Sequence, residues 1–212
     1  MSPIGRRIPA SYYMASDVLF LAKDLLGKFL CTLIDGFYCS GKIVETEAYR
    51  APDDRACHAY NNRKTPRTEV MFKKGGVAYI YVCYGMHHLM NVVTGPKESA
   101  HAILIRALEP VEGIDIMAER RQLDTNDVRL TKGPGALSVA MGLRSSLTGT
   151  SLYAVDTPIW LEDRKIKLLA ADICISKRIG VEGAGEAAHL PWRYFVRGNA
   201  YVSAKRRCDP TL

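Results

Sequence analysis

No apolar run in the 212 residues approaches the roughly 20 needed to cross a bilayer as a helix. The opening stretch MSPIGRRIPASYYMASD carries two arginines without the apolar core of a secretory signal behind them. Together these predict a cytoplasmic protein without a membrane span. The glycine patterns that cradle nucleotides, GxxxxGK[ST] and GxGxxG, are missing, and so is the GxSxG of serine hydrolases. There is no HExxH and no His-x-Glu followed by Pro-Cys-x-x-Cys, which excludes the usual zinc protease and zinc deaminase patterns. His87 and His88 point to opposite sides of an extended chain, which is poor metal geometry. No metal site is read from these residues. The six cysteines form no CxxC pair, and several lie in apolar runs such as KFLCTLI and ADICIS. They are read as reduced, buried thiols.

Cationic charge is present in excess. Lys and Arg number 29 against 22 Asp and Glu, giving a formal charge of +7. That surplus suits a polyanionic partner, because each phosphate contact releases condensed counterions, although many basic proteins bind no nucleic acid.

Periodicity predicts a helix over Ser16–Lys28, with Ser16 as N-cap and Gly27 at its end. KFLCTLI, the dipeptide Asp35-Gly36 and FYCSGKIVETEAY predict a hairpin. A long polar loop, 50–70, follows. VAYIYVCYGMHHLMNVV predicts a second hairpin with its tip near Tyr84 to His87. HAILIRAL is a strand, Glu109–Leu123 reads as an amphipathic helix, and KGPGALSVAMG starts another. IKLLAADICI and WRYFVRG are late strands. Helices mixed with adjacent hairpins predict an α+β fold with an antiparallel sheet. One domain over 1–212 is expected, with 1–15 a loosely ordered arm.

In IVETEAY, the period of 2 places Glu45, Glu47 and Tyr49 on one face. Paired carboxylates can separate each other's pKa and yield a general base. From spacing alone, however, the simpler reading is an exposed acidic strand face. Tyr79 and Tyr81 also share a face, which most often means core. Tyr84 at a turn is less easily explained by packing, and a ring there could wedge between bases. The basic groups RKTPR (63–67), Lys132 and Lys177-Arg178 each read singly as solvated surface. KGPG could present backbone N–H groups to a phosphate.

Taken together, VETEAYRAPDDRACHAYNNRKTPRTEVMF, AYIYVCYGMHHLMNVV, ILIRALEP, KGPGAL and RYFVRGNAYVS resemble the alkyladenine (3-methyladenine) DNA glycosylase family in the family's order, from about Val18 to Ser203. The resemblance implies a single mixed α/β domain in which a hairpin projects from a curved antiparallel sheet. It implies an enzyme that needs no metal or organic cofactor, flips alkylated or deaminated purines from duplex DNA and hydrolyses their glycosidic bond; a monomer is the simplest expectation. Glu47 then matches the glutamate that activates water, and Arg106 the arginine that helps to hold it. Tyr49 and His58 match one pocket wall, and Tyr81 the other. Asn91 matches the side chain that crowds a purine 2-amino group. Tyr84, with Met86, matches the inserted tip. Arg63, Thr65, Arg67, Lys132 and Arg178 fall at positions implied to meet the DNA backbone. The tip departs from some members, reading Met86-His87-His88 where they carry aromatics, and 124–129 matches nothing. Two rivals share the same residues: a hydrolase of free nucleosides, and a non-catalytic module that stacks bases.

Overall fold

The computed structural model describes residues 5–204 and Cys208. The chain runs β1 (Arg6–Arg7), α1 (Ala10–Tyr13), α2 (Val18–Asp24), β2 (Phe29–Ile34), β3 (Phe37–Arg50), β4 (Ala78–Cys83), β5 (His87–Thr94), β6 (His101–Glu112), α3 (Ile114–Arg121), α4 (Pro134–Ala140), β7 (Ile159–Asp163), β8 (Ile173–Ser176) and β9 (Arg193–Val196). The strands form one open antiparallel sheet in the order β1-β7-β2-β3-β6-β5-β4, with β9 on β3 and β8 on β9. This is the α+β class that the sequence predicts.

The two faces of the sheet follow from strand alternation. One face carries Ile43, Ala48, Ile80, Met90, Val92, Ile103 and Ile105, packed with Leu21 and Leu25 from α2 and its end and Leu137 from α4. On the other face, Tyr79, Val93 and Ala102 meet Cys57, Ala59, Val70, Met71 and Phe72 of the 50–72 segment. The long polar loop is thus a packed flap over the second face, held by short 3-10 turns at Tyr60–Asn62 and Glu69–Phe72.

β3 organises the site. β6 pairs with it over most of its length, while its other edge pairs with β2 as far as Lys42 and with β9 from Glu45 to Glu47. The register slips on either side of Glu45, where the partner changes. Such irregularities re-aim side chains, and this one lies beside both carboxylates of IVETEAY.

The structure departs from the sequence expectations in several places. The helix expected from Ser16 is α2, which starts at Val18 with Asp17 as its N-cap; the Asp17 carboxylate accepts from the N–H groups of Leu19 and Phe20 at 3.0 Å each. The expected helix from Glu109 begins only at Ile114, because β3 offers a partner as far as Glu112 and Pro110 suits a strand margin better than a helix interior. IKLLAADICI is strand only over Ile173–Ser176, and β7 was not anticipated. Residues 5–15 are not a loose arm: Arg6 and Arg7 pair with β7, and Ile8 and Tyr13 are buried. Met1–Ile4 lie outside the described residues. Cys174 and Cys208 form a disulfide, so the expectation of reduced thiols fails for that pair. Cys31, Cys39, Cys57 and Cys83 are free. No helix of the described residues is long and apolar enough to cross a membrane.

Candidate active site

A cavity of about 240 Å³ opens on the second face of the sheet, between the 50–72 flap and the segment after β8. Tyr49, His58, Tyr81, Asn91 and Arg106 all line it, and Tyr84 stands at its rim. Alternation explains the lining: Leu89 and Asn91 on β5, and Ala102, Leu104 and Arg106 on β6, point to this face while their neighbours enter the main core.

Glu45 and Glu47 are fully buried, so the exposed acidic face that spacing alone favoured does not exist. The guanidinium of Arg106 bridges them. Its Nε donates to Glu45 Oε1 at 3.0 Å, and its Nη1 donates to Glu47 Oε2 at 3.1 Å. Glu47 Oε2 also accepts from the Tyr49 hydroxyl at 2.8 Å, and Oε1 accepts from the Ile179 N–H at 2.7 Å. Glu45 also accepts from Arg193 Nε at 2.7 Å, Ser203 N at 2.6 Å and Ser203 Oγ at 2.9 Å. Burial alone would raise the Glu45 pKa, but Arg106, Arg193 and the Ser203 bonds hold it below the ordinary value. Burial likewise works against the Arg106 charge, and Glu47 and Glu45 outweigh it. Tyr49 is pushed well above its usual pKa by burial and by Glu47, so it stays a phenol that donates.

The walls are grouped differently from the expectation. His58 and Tyr81 touch edge to face with centroids 4.6 Å apart, which leaves no gap for a base between them. They form one wall, and Tyr49 makes no ring contact with either among the described residues. His58 Nδ1 lies 2.8 Å from the Tyr79 hydroxyl. Packing around the imidazole and the nearby Arg67 push its pKa down to about 4. Asn91 is buried and pinned, its Nδ2 donating to the carbonyls of Tyr79 at 3.1 Å and Leu89 at 3.2 Å.

At the hairpin tip, Tyr84 (φ 51°) and Gly85 (φ 72°) are both left-handed, and the Met86 N–H donates to the Cys83 carbonyl at 3.2 Å. This turn matches the strand twist, and glycine takes its second central position freely. A tyrosine held at positive φ costs on the order of 1 kcal/mol. Its ring is 88% exposed and Met86 is 69% exposed.

The family model described as methylpurine-DNA glycosylase (MPG) matches residues 12–200. The chain belongs to the methylpurine-DNA glycosylase family. As a member it is an enzyme of DNA repair, a hydrolase of N-glycosyl bonds. A relative from Chlamydia felis named "Putative 3-methyladenine DNA glycosylase" is 48% identical over 190 residues, covering 89% of this chain and 95% of its own length. Equally named relatives are 46% identical in Chlamydia pneumoniae, over 87% of this chain and 92% of theirs, and 43% identical in Bacillus mycoides, over 92% and 98%.

Around this glycosylase cavity, the residues expected at the DNA backbone fall into two groups. Arg63 and Arg67 are exposed on the flap, with Thr65 half-buried between them. Lys132 is half-buried, and its Nζ donates to the Ala200 carbonyl at 2.8 Å. Arg178 is a correction: it is 2% exposed, too deep to meet a phosphate. It donates to Asp54 at 2.6 and 2.7 Å and to the carbonyls of Ala48 and Ala187 at 2.8 and 3.0 Å. Its guanidinium lies 4.7 Å from the Tyr49 ring centroid and 5.0 Å from that of Trp192, so it backs the Tyr49 wall. The sequence reading did not assign Asp54, Arg193, Ser203 or the Ile179 N–H. Ile179 contributes only its backbone, and the others act through partners distant in sequence. Among the described residues, no cluster of three or more His, Cys, Asp or Glu has the arrangement of a metal site.

Proposed function

We propose that the enzyme flips alkylated or deaminated purines out of duplex DNA into this cavity and cleaves the N-glycosidic bond with a water activated by Glu47. The substrates would be of the 3-methyladenine, 7-methylguanine, hypoxanthine and ethenoadenine class. The observation that carries the reading is the position of Glu47: a buried carboxylate beside an aromatic cavity, with an exposed aromatic tip at the cavity rim.

Departure of a purine leaves an oxocarbenium-like sugar, as in glycoside hydrolysis. A fixed carboxylate next to that centre stabilises the developing charge in a site from which water is largely excluded. Both lone pairs of Glu47 Oε2 are engaged by Tyr49 and Arg106, whereas Oε1 has one partner, the Ile179 N–H. The attacking water therefore binds at Oε1, which takes its proton as oxygen bonds to the sugar carbon. Arg106 fixes the carboxylate plane through its second anchor on Glu45. The flipped base lies between Tyr49 and the His58–Tyr81 wall, where ring faces attract cationic alkylpurines. Asn91, held by two backbone carbonyls, crowds a 2-amino group. Tyr84, with Met86, fills the stack vacated by the base, while Arg63, Thr65 and Lys132 meet phosphates.

The test is base release from duplexes carrying one lesion each, measured beside the matching free nucleosides. Release from duplex alone is the expected result. Equal cleavage of free nucleosides would favour a nucleoside hydrolase, and binding without release would favour a stacking module.

A further inference from the structure

Arg67 stands behind the His58–Tyr81 wall and touches both of its rings. Its Cζ lies 4.9 Å from the centroid of Tyr81, and its Nη2 is 3.4 Å from His58 Nε2. It is exposed, does not line the cavity, and forms no ion pair among the described residues. Its charge is therefore not cancelled by a neighbouring carboxylate.

We propose that Arg67 is a specificity-determining residue, setting the balance between cationic and neutral lesions through the wall it backs. The inference rests on the reading of the cavity as a methylpurine pocket. A ring attracts a cation through the negative potential of its faces. Tyr81 already spends that potential on Arg67, so a cationic base on the cavity side gains less from the ring. Such a base also meets the guanidinium charge across the thickness of the wall. A neutral base such as hypoxanthine loses neither term and stacks as before. Arg67 also fixes the His58 tautomer: an Nη2 donor requires a lone pair on Nε2, which puts the ring proton on Nδ1, facing the Tyr79 oxygen. The wall therefore offers the base two aromatic surfaces and one guanidinium charge behind them.

A phosphate contact by Arg67 would serve every lesion alike, so the ratio of two lesions isolates the proposed role. Single-turnover release is measured for 7-methylguanine, a cation, and hypoxanthine, a neutral base, in otherwise identical duplexes. The proteins are the wild type, Arg67→Met and Arg67→Lys. In Arg67→Met the ratio of cationic to neutral release rises by roughly five- to tenfold, the size of one cation–π contact. Arg67→Lys keeps the charge and stays near the wild-type ratio. An unchanged ratio in Arg67→Met, with both rates falling together, would reduce Arg67 to a phosphate contact and overturn the proposal. An equal rise in Arg67→Lys would also overturn it, by assigning the effect to shape rather than charge. Absence of release by the wild type from either duplex would instead refute the pocket reading itself, a distinct outcome.

Discussion

Asp54→Asn removes the partner of a guanidinium that water cannot reach. The side chains of Asp54 and Arg178 are both 0% exposed, and the pair is joined by bonds of 2.6 and 2.7 Å. The other bonds of its two Nη atoms go to carbonyls, which carry no formal charge to replace the carboxylate, and its buried Nε has no partner. Breaking a buried pair from one side leaves an uncompensated charge and costs about 3–5 kcal/mol. With a urea dependence of about 1–3 kcal/mol/M, the unfolding midpoint should fall by roughly 1–5 M. Arg178→Met alone should cost a similar amount, because Asp54 is then the stranded charge. The double variant Asp54→Asn/Arg178→Met should be far less destabilised than the sum of the two, since no charge is left behind. Base release should fall with each single change, because Arg178 backs Tyr49. The assay is urea unfolding of the four proteins, followed by single-turnover release under conditions where each is folded. A cost below about 1 kcal/mol for Asp54→Asn would refute the reasoning, since exposed pairs lie in that range.

Tyr84→Ala should reduce release from paired lesions by about tenfold to a hundredfold, the value of roughly 1–3 kcal/mol for one aromatic–base stack. The loss should shrink for the same lesion in a mismatch or a single strand; an equal loss in all three contexts would contradict the wedge role. His58 should titrate near pH 4 when followed by NMR of its ring protons. An ordinary histidine near 6.5 binds a proton in the unfolded chain that this site refuses. His58 therefore contributes no pH dependence to stability above about pH 6.5, and stability falls as pH drops from there toward 4. Release of a cationic lesion should show no His58-dependent inflection near pH 6.5; an inflection that vanishes in His58→Asn would contradict this.

Local pattern carried much of this architecture. The Asp35-Gly36 and Tyr84-Gly85 turns were legible because few residues adopt positive φ, and the hairpins followed from them. Alternation in IVETEAY put Glu45, Glu47 and Tyr49 on one side, although burial of that side was not legible. Charge on a strand suggests solvent unless the partners are visible, and Arg106 lies 59 residues from Glu47 in sequence. The role of Arg178 was misread for the same reason: its partner Asp54 is 124 residues away. The helix expected over Glu109–Leu123 forms only from Ile114, because pairing with β3 takes its first residues into the sheet. Tyr49, His58, Tyr81, Asn91 and Arg106, to which the resemblance pointed, line one cavity, but the joining of His58 to Tyr81 in one wall needed coordinates.

Glu47→Gln tests most directly whether Glu47 is the group that activates water. The amide keeps the shape of the side chain and removes both the charge and the basic oxygen. The measurement is single-turnover release of 7-methylguanine from duplex DNA, beside affinity for the same duplex. Affinity is predicted to stay within a few-fold of wild type while release falls by about 100-fold or more. Release near the wild-type rate, with the variant folded and bound, would contradict the assignment of Glu47.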